Sequence, residues 1–484
     1  MKLTRRDLFR AAAVGPFVLT SRAAAARRPN FLFLLTDDQS YRTLGLTGSP
    51  FMRTPSIDRL GREGVLFTNG FVAMSLCAPS RACFLTGMYP HKNGIINNQL
   101  RWNQNLSTLP RILKEAGWRT AHIGKWHMDG DDRVQPGYDY WAAQINQGQY
   151  VNPRKNINGT WTNMTGYDTT IVTDQALAFM KDSRRAGSPF CAWLGFKACH
   201  GPFTPAPGHE NDFADIEFKP PASFFIDDEG KPDRVRRKSQ RLGMEGAANQ
   251  ETRAAKRAAK KAAQAGAPPE NLERWAARER DQYRCLMGVE DSVRRILDFL
   301  DEEKLAEGTI IVYSGDNGFF HGEHALHGKM EAYEESLRVP MMLRYPREVR
   351  GGQRVDAFVA NVDLAPSILD FCGLKAPAAM QGKAWRPLVT GKAGTKPWRD
   401  EFVYSMHNTD AARPTVKAFR TDRYKLILNL NPRDKDELYD LKSDPEELKN
   451  LALDMGNAEL VADLKRKLAS AMKQIEDPAL AALE

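Results

Sequence analysis

Four hard oxygen donors stand at the ends of two apolar runs. Asp37 and Asp38 follow Asn30-Phe-Leu-Phe-Leu-Leu-Thr36, and Asp316 and Asn317 follow Ile310-Ile-Val-Tyr-Ser314 after a single Gly. Three carboxylates and an amide suit Ca2+ or Mg2+ better than zinc, which favours nitrogen and sulfur. Each pair alone has an ordinary reading too: Asp-Asp after a strand often caps a helix, and Asp-Asn-Gly often makes a turn. A thiol, Cys77, opens the run Cys-Ala-Pro-Ser-Arg-Ala-Cys-Phe-Leu-Thr-Gly87, and its ordinary reading is a small buried hydrophobe. Arg81, Lys125, His127, His200 and Lys329 are groups that could stabilise developing negative charge or hand on a proton. Taken singly, such a Lys or His is more often solvated surface or satisfied core.

The elements that must position these residues are legible as periodic runs. Asn30–Thr36, Thr120–Gly124, Phe190–Phe196, Thr309–Ser314 and Val339–Arg344 are short and continuously apolar, as expected for buried strands of a parallel sheet. Helical patterns lie between them, at Ser56–Glu63, Thr108–Ala116, Asp168–Lys181 and Cys285–Glu303. The alternation predicts an α/β fold, a doubly wound and largely parallel sheet flanked by helices. Sites in such sheets gather at the carboxyl ends of strands, so the two acidic pairs can converge. Beyond about residue 396 the pattern changes. Phe402–Tyr404, Thr415–Thr421 and Tyr424–Asn429 read as short strands, and Glu446–Lys449 and Glu459–Ile475 as helices. This predicts a small C-terminal antiparallel-sheet subdomain over 397–484, after a catalytic domain over 28–396.

The Cys77 run resembles the signature of the type I sulfatases, C-x-P-S-R-x-x-x-L-T-G, at every fixed position. Gly124-Lys125-Trp126-His127 resembles that family's G-K-W-H element, and His200-Gly-Pro-Phe203 its H-x-P-F. Gly328-Lys329 with Tyr333-Glu334 resembles its late G-K-x-x-x-Y-E segment. The resemblance spans most of residues 28–450 and implies an alkaline-phosphatase-like fold. It also implies oxidation of Cys77 to formylglycine by a formylglycine-generating enzyme, with Pro79 and Arg81 as recognition context. Ca2+ would be held by Asp37, Asp38, Asp316, Asn317 and the modified Cys77. A hydrated aldehyde carries two hydroxyls. One attacks sulfur while a cation lowers its pKa, and the other then expels sulfate by re-forming the carbonyl, which a thiol cannot do. Carried over, Arg81 and Lys125 hold nucleophile and sulfate, and His127 assists the diol. Lys329 and His200 meet the sulfate and the leaving oxygen, with His200 first as general acid. His91, in the family's Y-P-H turn, is architectural. His321, His324 and His327 read as a loop near Asp316 rather than a second metal face.

The chain has 484 residues and a net charge of +9, which could suggest a polyanion partner. Residues 1–26 carry net +4 and residues 231–262 net +8, leaving −3 for the rest, so a nucleic-acid-binding surface is not expected. Residues 1–27 combine Arg5-Arg6, an apolar stretch and small residues before Arg27, resembling a twin-arginine signal peptide and implying a periplasmic or secreted enzyme. No run of roughly 18 apolar residues exists, so no membrane span is expected. Residues 229–268 form a basic, Ala-rich insertion, read as helical with a solvated face. The six Cys show no disulfide framework, although Cys191 and Cys199 flank one strand. The stretch 137–168 resembles bacterial sulfatases acting on N-acetylglucosamine 6-sulfate or related glycosaminoglycan sugars, so a sulfated carbohydrate or an aryl sulfate is the expected substrate. Trp102, Trp126, His407 and Arg413 are candidates to line a sugar pocket. Two other readings are a formylglycine-dependent phosphodiester or phosphonate monoester hydrolase and a sulfated-glycan binding protein without turnover.

Overall fold

The computed structural model describes residues 28–128, 133–144, 146–225, 230–236, 270–391, 398–407 and 415–483. Residues 1–27, read above as resembling a signal peptide, and Arg413 lie outside the described residues, as does the insertion beyond Arg236.

Ten strands form one twisted sheet. In chain order they are β1 (Asn30–Thr36), β2 (Val65–Phe71), β3 (Arg119–Lys125), β4 (Tyr140–Gln144), β5 (Arg154–Ile157), β6 (Thr160–Asn163), β7 (Phe190–Gly195) and β8 (Thr309–Gly315). After the two-residue strands β9 (Phe320–His321) and β10 (His327–Gly328), which pair with each other, come β11 (Met341–Arg344) and β12 (Gln353–Ala360). The order across the sheet is β12-β2-β11-β8-β1-β7-β3-β4-β5-β6. β1 lies between β7 and β8, parallel to both. The α/β doubly wound architecture is therefore as the sequence implied.

Both sheet faces are covered, which is why the central strands read as unbroken apolar runs. Along β1, Phe31, Phe33 and Leu35 enter one core while Leu32 and Leu34 enter the other. The helix Asp168–Arg185 and the long helix Glu270–Glu302 pack on the second face. A separate antiparallel sheet is formed by β13 (Glu401–Met406), β14 (Thr415–Thr421), β15 (Tyr424–Asn431) and β16 (Glu437–Asp440). Its Val416, Ala418 and Ile427 face the larger sheet's side. Phe419, Leu426 and Leu428 pack with Leu464 and Leu468 of the helix Ala458–Gln474.

Several expectations change. β11 runs antiparallel to both β2 and β8, because a strand buried on two faces carries no directional signal in its apolar run. The last long helix of the catalytic domain starts at Glu270, well before Cys285. Glu446–Lys449 is a turn, not a helix: Glu447 has φ 52°, outside the right-handed helical region. Cys191 and Cys199, by contrast, are both free thiols, in keeping with the expected absence of a disulfide framework. Trp102 and Trp126 belong to the hydrophobic core, with ring centroids 5.8 Å apart, rather than to a sugar pocket. The described start of the basic segment is not solvated: Lys231 is buried between the rings of Tyr333 and Tyr439, and Arg234 pairs with Glu331 at 2.7 Å.

Candidate active site

The adjacency of β1 and β8 brings the acidic pairs together. Thr36 pairs in register with Gly315, so the next residues, Asp37 and Asp316, leave the sheet side by side. The Asp38 backbone N–H donates to Asp316 Oδ1 at 3.1 Å, and Asn317 Nδ2 donates to Asp38 Oδ1 at 2.7 Å. Backbone bonds between Asp37 and the Ala198–Cys199 stretch, at 2.9 and 2.7 Å, bring in the segment after β7 that carries His200. β3 ends on Lys125.

Cys77 is the first residue of the buried helix Cys77–Thr86, and Arg81 follows it by four residues, so both lie on one helix face. The Arg81 guanidinium donates to Asp316 Oδ2 at 2.9 Å and to the Lys125 carbonyl at 2.8 Å. Cys77 Sγ lies 3.7 Å from Asp37 Oδ1 and 2.8 Å from Lys329 Nζ. Lys125 pairs with Asp37 and with Gln147, and Lys329 pairs with Asp38. Gln147 Nε2 stands 3.2 Å from His127 Nε2, so the amide donates and the imidazole accepts there. His200 Nδ1 lies 2.6 Å from the Gly201 carbonyl; a carbonyl only accepts, so Nδ1 carries a proton. That bond leaves His200 Nε2 toward Asp38 Oδ2 at 3.6 Å, and Tyr150 Oη donates to the His200 carbonyl at 2.8 Å.

Burial and charge act against each other here. Burial pushes the Cys77 thiol up to about 12, with Lys329 opposing and Asp37 reinforcing, so the unmodified thiol is a poor nucleophile despite its place at a helix N-terminus. Burial works against a charge on Asp37, yet Lys125, His200, Arg81 and Lys329 hold it well below the usual carboxylate range. Burial and the neighbouring Asp37 push Asp316 up to about 6. His127 is depressed to about 2 by burial and then by Lys125, and is neutral at ordinary pH.

The donor set fits a hard divalent cation. Asp37, Asp38, Cys77 and His200 each offer an atom within 4.8 Å of the others. Asn317 Oδ1 is buried and finds no hydrogen-bond partner among the described residues, which leaves it available to a cation. Of these groups, the Asp37 and Asp38 carboxylates and the Asn317 amide oxygen are the hard donors, and these three suit Ca2+ or Mg2+.

The site forms the floor of a cleft of about 720 Å³, with Asp38, His200 and Lys329 among its lining residues. The sequence-chosen residues Asp37, Asp38, Cys77, Arg81, Lys125, His127, His200, Asp316, Asn317 and Lys329 are all linked through these contacts. Three neighbours escaped notice: Gln147, Gln282, whose Nε2 donates to the Asp38 carbonyl at 3.3 Å, and Arg278 on the cleft wall. A lone Gln or an Arg on a charged helix carries no local signal. Of the other histidines, His91 binds the Ile475 carbonyl at 2.9 Å, His321 pairs with Glu279, and His324 stacks on Tyr333.

Comparisons with known proteins identify the family. Residues 29–374 match the family model described as Sulfatase, and residues 322–474 match N-sulphoglucosamine sulphohydrolase, C-terminal. The chain belongs to the sulfatase family and is a hydrolase of sulfate esters. It is 31% identical to the N-acetylglucosamine-6-O-sulfatase of Bacteroides thetaiotaomicron, over 93% of this chain and 87% of that one. The human N-acetylglucosamine-6-sulfatase is 28% identical, over 81% and 70%. A solved structure in complex with its substrate D-glucosamine-2-N,6-O-disulfate superposes with a TM-score of 0.83 at 30% identity, covering 93% of this chain and 99% of that one. No described helix is long and apolar enough to cross a membrane.

Proposed function

We propose that this sulfatase removes the 6-O-sulfate of N-acetylglucosamine or of a related glycosaminoglycan sugar, after export through the twin-arginine route. The reading has Cys77 converted to formylglycine by a formylglycine-generating enzyme before folding buries it. The observation that carries it is the meeting of Cys77 and Asp37 with Asp38 and Lys329, the last two of which line an open cleft, in a chain whose relatives include N-acetylglucosamine-6-sulfatases.

Asp37, Asp38, Asp316 and Asn317 would hold Ca2+, with the modified Cys77 beside them. When bound, the ion supplies a Lewis acid that lowers a hydroxyl pKa and offsets sulfate charge. The aldehyde hydrate supplies the nucleophilic hydroxyl and a route for releasing sulfate. The chain's own groups do the rest. Arg81, fixed by Asp316 and the Lys125 carbonyl, presents a rigid cation behind position 77. Lys125 and Lys329 exchange part of their attraction to Asp37 and Asp38 for the incoming sulfate. His127, neutral with Nε2 accepting from Gln147, keeps its proton on Nδ1 and would assist the diol by donating a hydrogen bond. His200 is set with Nδ1 donating to Gly201, so that Nε2 delivers a proton to the leaving sugar oxygen. Burial lowers its pKa, Asp37 and Asp38 oppose that, and a bound sulfate anion adds to the opposition.

The test is a panel of sulfated monosaccharides, an aryl sulfate and an aryl phosphodiester, assayed with aldehyde-bearing protein and with Cys77→Ala. Hydrolysis of N-acetylglucosamine 6-sulfate is expected, and Cys77→Ala should lower turnover on the order of 10⁴-fold. A higher kcat/KM on the phosphodiester, or full activity in Cys77→Ala, would refute the reading.

A further inference from the structure

We propose that Lys197 is a positioning residue for the proton donor: it holds the Gly201 carbonyl that orients the His200 ring. This rests on the reading of His200 as general acid given above and names what aims it. Lys197 follows β7 by two residues and is 1% exposed, yet none of the steps described so far uses it. Enclosing an ammonium is costly unless its N–H groups find acceptors, so the contacts it makes at that depth matter. Nζ donates to the Gly201 carbonyl at 3.4 Å and stands over the face of the Tyr150 ring, 4.9 Å from its centroid.

Both contacts lead to His200. The His200 backbone N–H donates to the Lys197 carbonyl at 2.8 Å, its carbonyl accepts from Tyr150 Oη at 2.8 Å, and Nδ1 donates to the Gly201 carbonyl at 2.6 Å. Nε2 is left toward Asp38 Oδ2, 3.6 Å away. Lys197 and His200 Nδ1 therefore share one acceptor, as the two lone pairs of a carbonyl oxygen allow. Tyr150 is itself fixed: its ring stacks on Tyr167 at 5.6 Å, and its carbonyl accepts from the Asp168 N–H at 2.7 Å.

The weak member of this frame is Gly201. It lies on the cleft lining, and with no side chain it brings no anchor of its own. Without Lys197 its carbonyl is free to turn toward water in the cleft, and Nδ1 would follow it, swinging Nε2 off the leaving oxygen. A cation seated on Tyr150 keeps that carbonyl turned to the protein side. A proton donor must stand within hydrogen-bond reach of the oxygen it serves, so a ring turned out of line costs rate rather than substrate binding.

The measurement compares two esters in the full-length, aldehyde-bearing enzyme. A nitrophenolate departs as a stable anion and has little need of a proton, whereas the alkoxide of a sugar must be protonated as it leaves. The readout is kcat on N-acetylglucosamine 6-sulfate divided by kcat on 4-nitrophenyl sulfate, taken within one preparation so that a smaller folded or aldehyde-bearing fraction cancels. Lys197→Met should lower this ratio about 10-fold, the worth of a charge-assisted bond, with KM for the sugar changed by less than about 2-fold. Lys197→Gln, which keeps an N–H donor on a shorter stem, should fall between. His200→Ala should lower the ratio on the order of 10²-fold, and adding Lys197→Met to it should lower it no further. A ratio unchanged in Lys197→Met while His200→Ala lowers it, or a further drop in the double variant, would overturn this inference alone. A ratio unchanged in His200→Ala would overturn the proton-donor reading and this inference with it.

Discussion

Two clusters of buried charge lie on either side of residues 329–335, and they do different work. The first gathers Asp37, Asp38 and Asp316 against Arg81, Lys125 and Lys329. The second lies where the C-terminal sheet meets the catalytic domain. Lys425 Nζ is 2.8 Å from both Glu334 and Glu447, Arg420 reaches Glu334 at 3.3 Å, and Glu437 accepts from the hydroxyls of Tyr333 and Tyr439 at 2.5 and 2.7 Å. Both are built from carboxylates and bases at similar depth, so buried charge alone does not mark an active site. The first opens on a 720 Å³ cleft and contains Cys77 and an unanswered Asn317 oxygen. The second borders a hollow of only about 140 Å³, and its Lys231 is capped by the faces of Tyr333 and Tyr439 at 4.3 and 4.5 Å. The second cluster too keeps a buried oxygen without a hydrogen-bond partner, Glu437 Oε1, so it is access to the cleft and the presence of Cys77 that set the first apart from a clamp between two sheets.

The sharpest way to break this contrast is to neutralise one charge in the first cluster. Asp316→Asn keeps the shape and an oxygen but removes a carboxylate that faces Arg81 and Asp38. Turnover should fall on the order of 10³-fold, and bound Ca2+, measured by elemental analysis after dialysis, should fall below one per chain. A variant that kept its metal and its rate would show that Asp316 only anchors Arg81.

The matching change in the second cluster is Lys425→Met, which leaves Glu334 and Glu447 buried without their shared cation. Removing one partner of a buried pair typically costs about 3–5 kcal/mol, so denaturant unfolding should shift by that amount. The rate per folded molecule should stay at the wild-type value. Lost turnover with undiminished stability would make the second cluster part of the catalytic apparatus.

The two clusters were also unequally legible in the sequence. The first could be read because its acidic residues sit directly after apolar strands and its thiol lies in a dense local motif, Cys77 to Gly87. Chemistry that depends on strand ends leaves its residues in short contiguous runs. The second could not be read, since its members come from residues 231, 334, 420, 425, 437 and 447, and each looks like ordinary surface charge. Lys231 shows the difficulty. In sequence it opens a basic segment that suggests solvent, and only the distant Tyr333 and Tyr439 rings reveal that it is enclosed. The direction of β11 was hidden for a related reason. Its apolar residues satisfy both faces, and its pairing depends on β2 and β8, far away along the chain. Trp126, a candidate for the sugar pocket, lies in the core because an aromatic next to a buried Lys is as useful to the core beneath the strand as to a ligand above it.

A third buried polar group, outside both clusters, sharpens the comparison by having no answering partner. His122 lies on β3 among aromatic rings, with Trp141 at 4.9 Å, Trp126 at 5.0 Å and Tyr138 at 5.8 Å. Neither ring nitrogen finds a hydrogen-bond partner among the described residues. Burial, helped by the positive charges of Arg81 and Lys155, depresses its pKa to about 3. Above about pH 6.5 it is neutral in both folded and unfolded chains and has no effect on stability through protonation. As pH falls below that value, the unfolded chain takes up a proton that the folded chain refuses, so stability drains away until about pH 3. At pH 5 the difference amounts to about 2 kcal/mol. His122→Phe keeps a flat ring in the same aromatic nest, with some overpacking that is independent of pH. Between pH 7 and pH 5, the variant should therefore lose about 2 kcal/mol less unfolding free energy than the wild type. The other histidines and the carboxylate cluster contribute equally to both proteins and cancel in the difference. Parallel pH profiles would mean that His122 does find a partner for its proton, and that even the core between the clusters answers its charges.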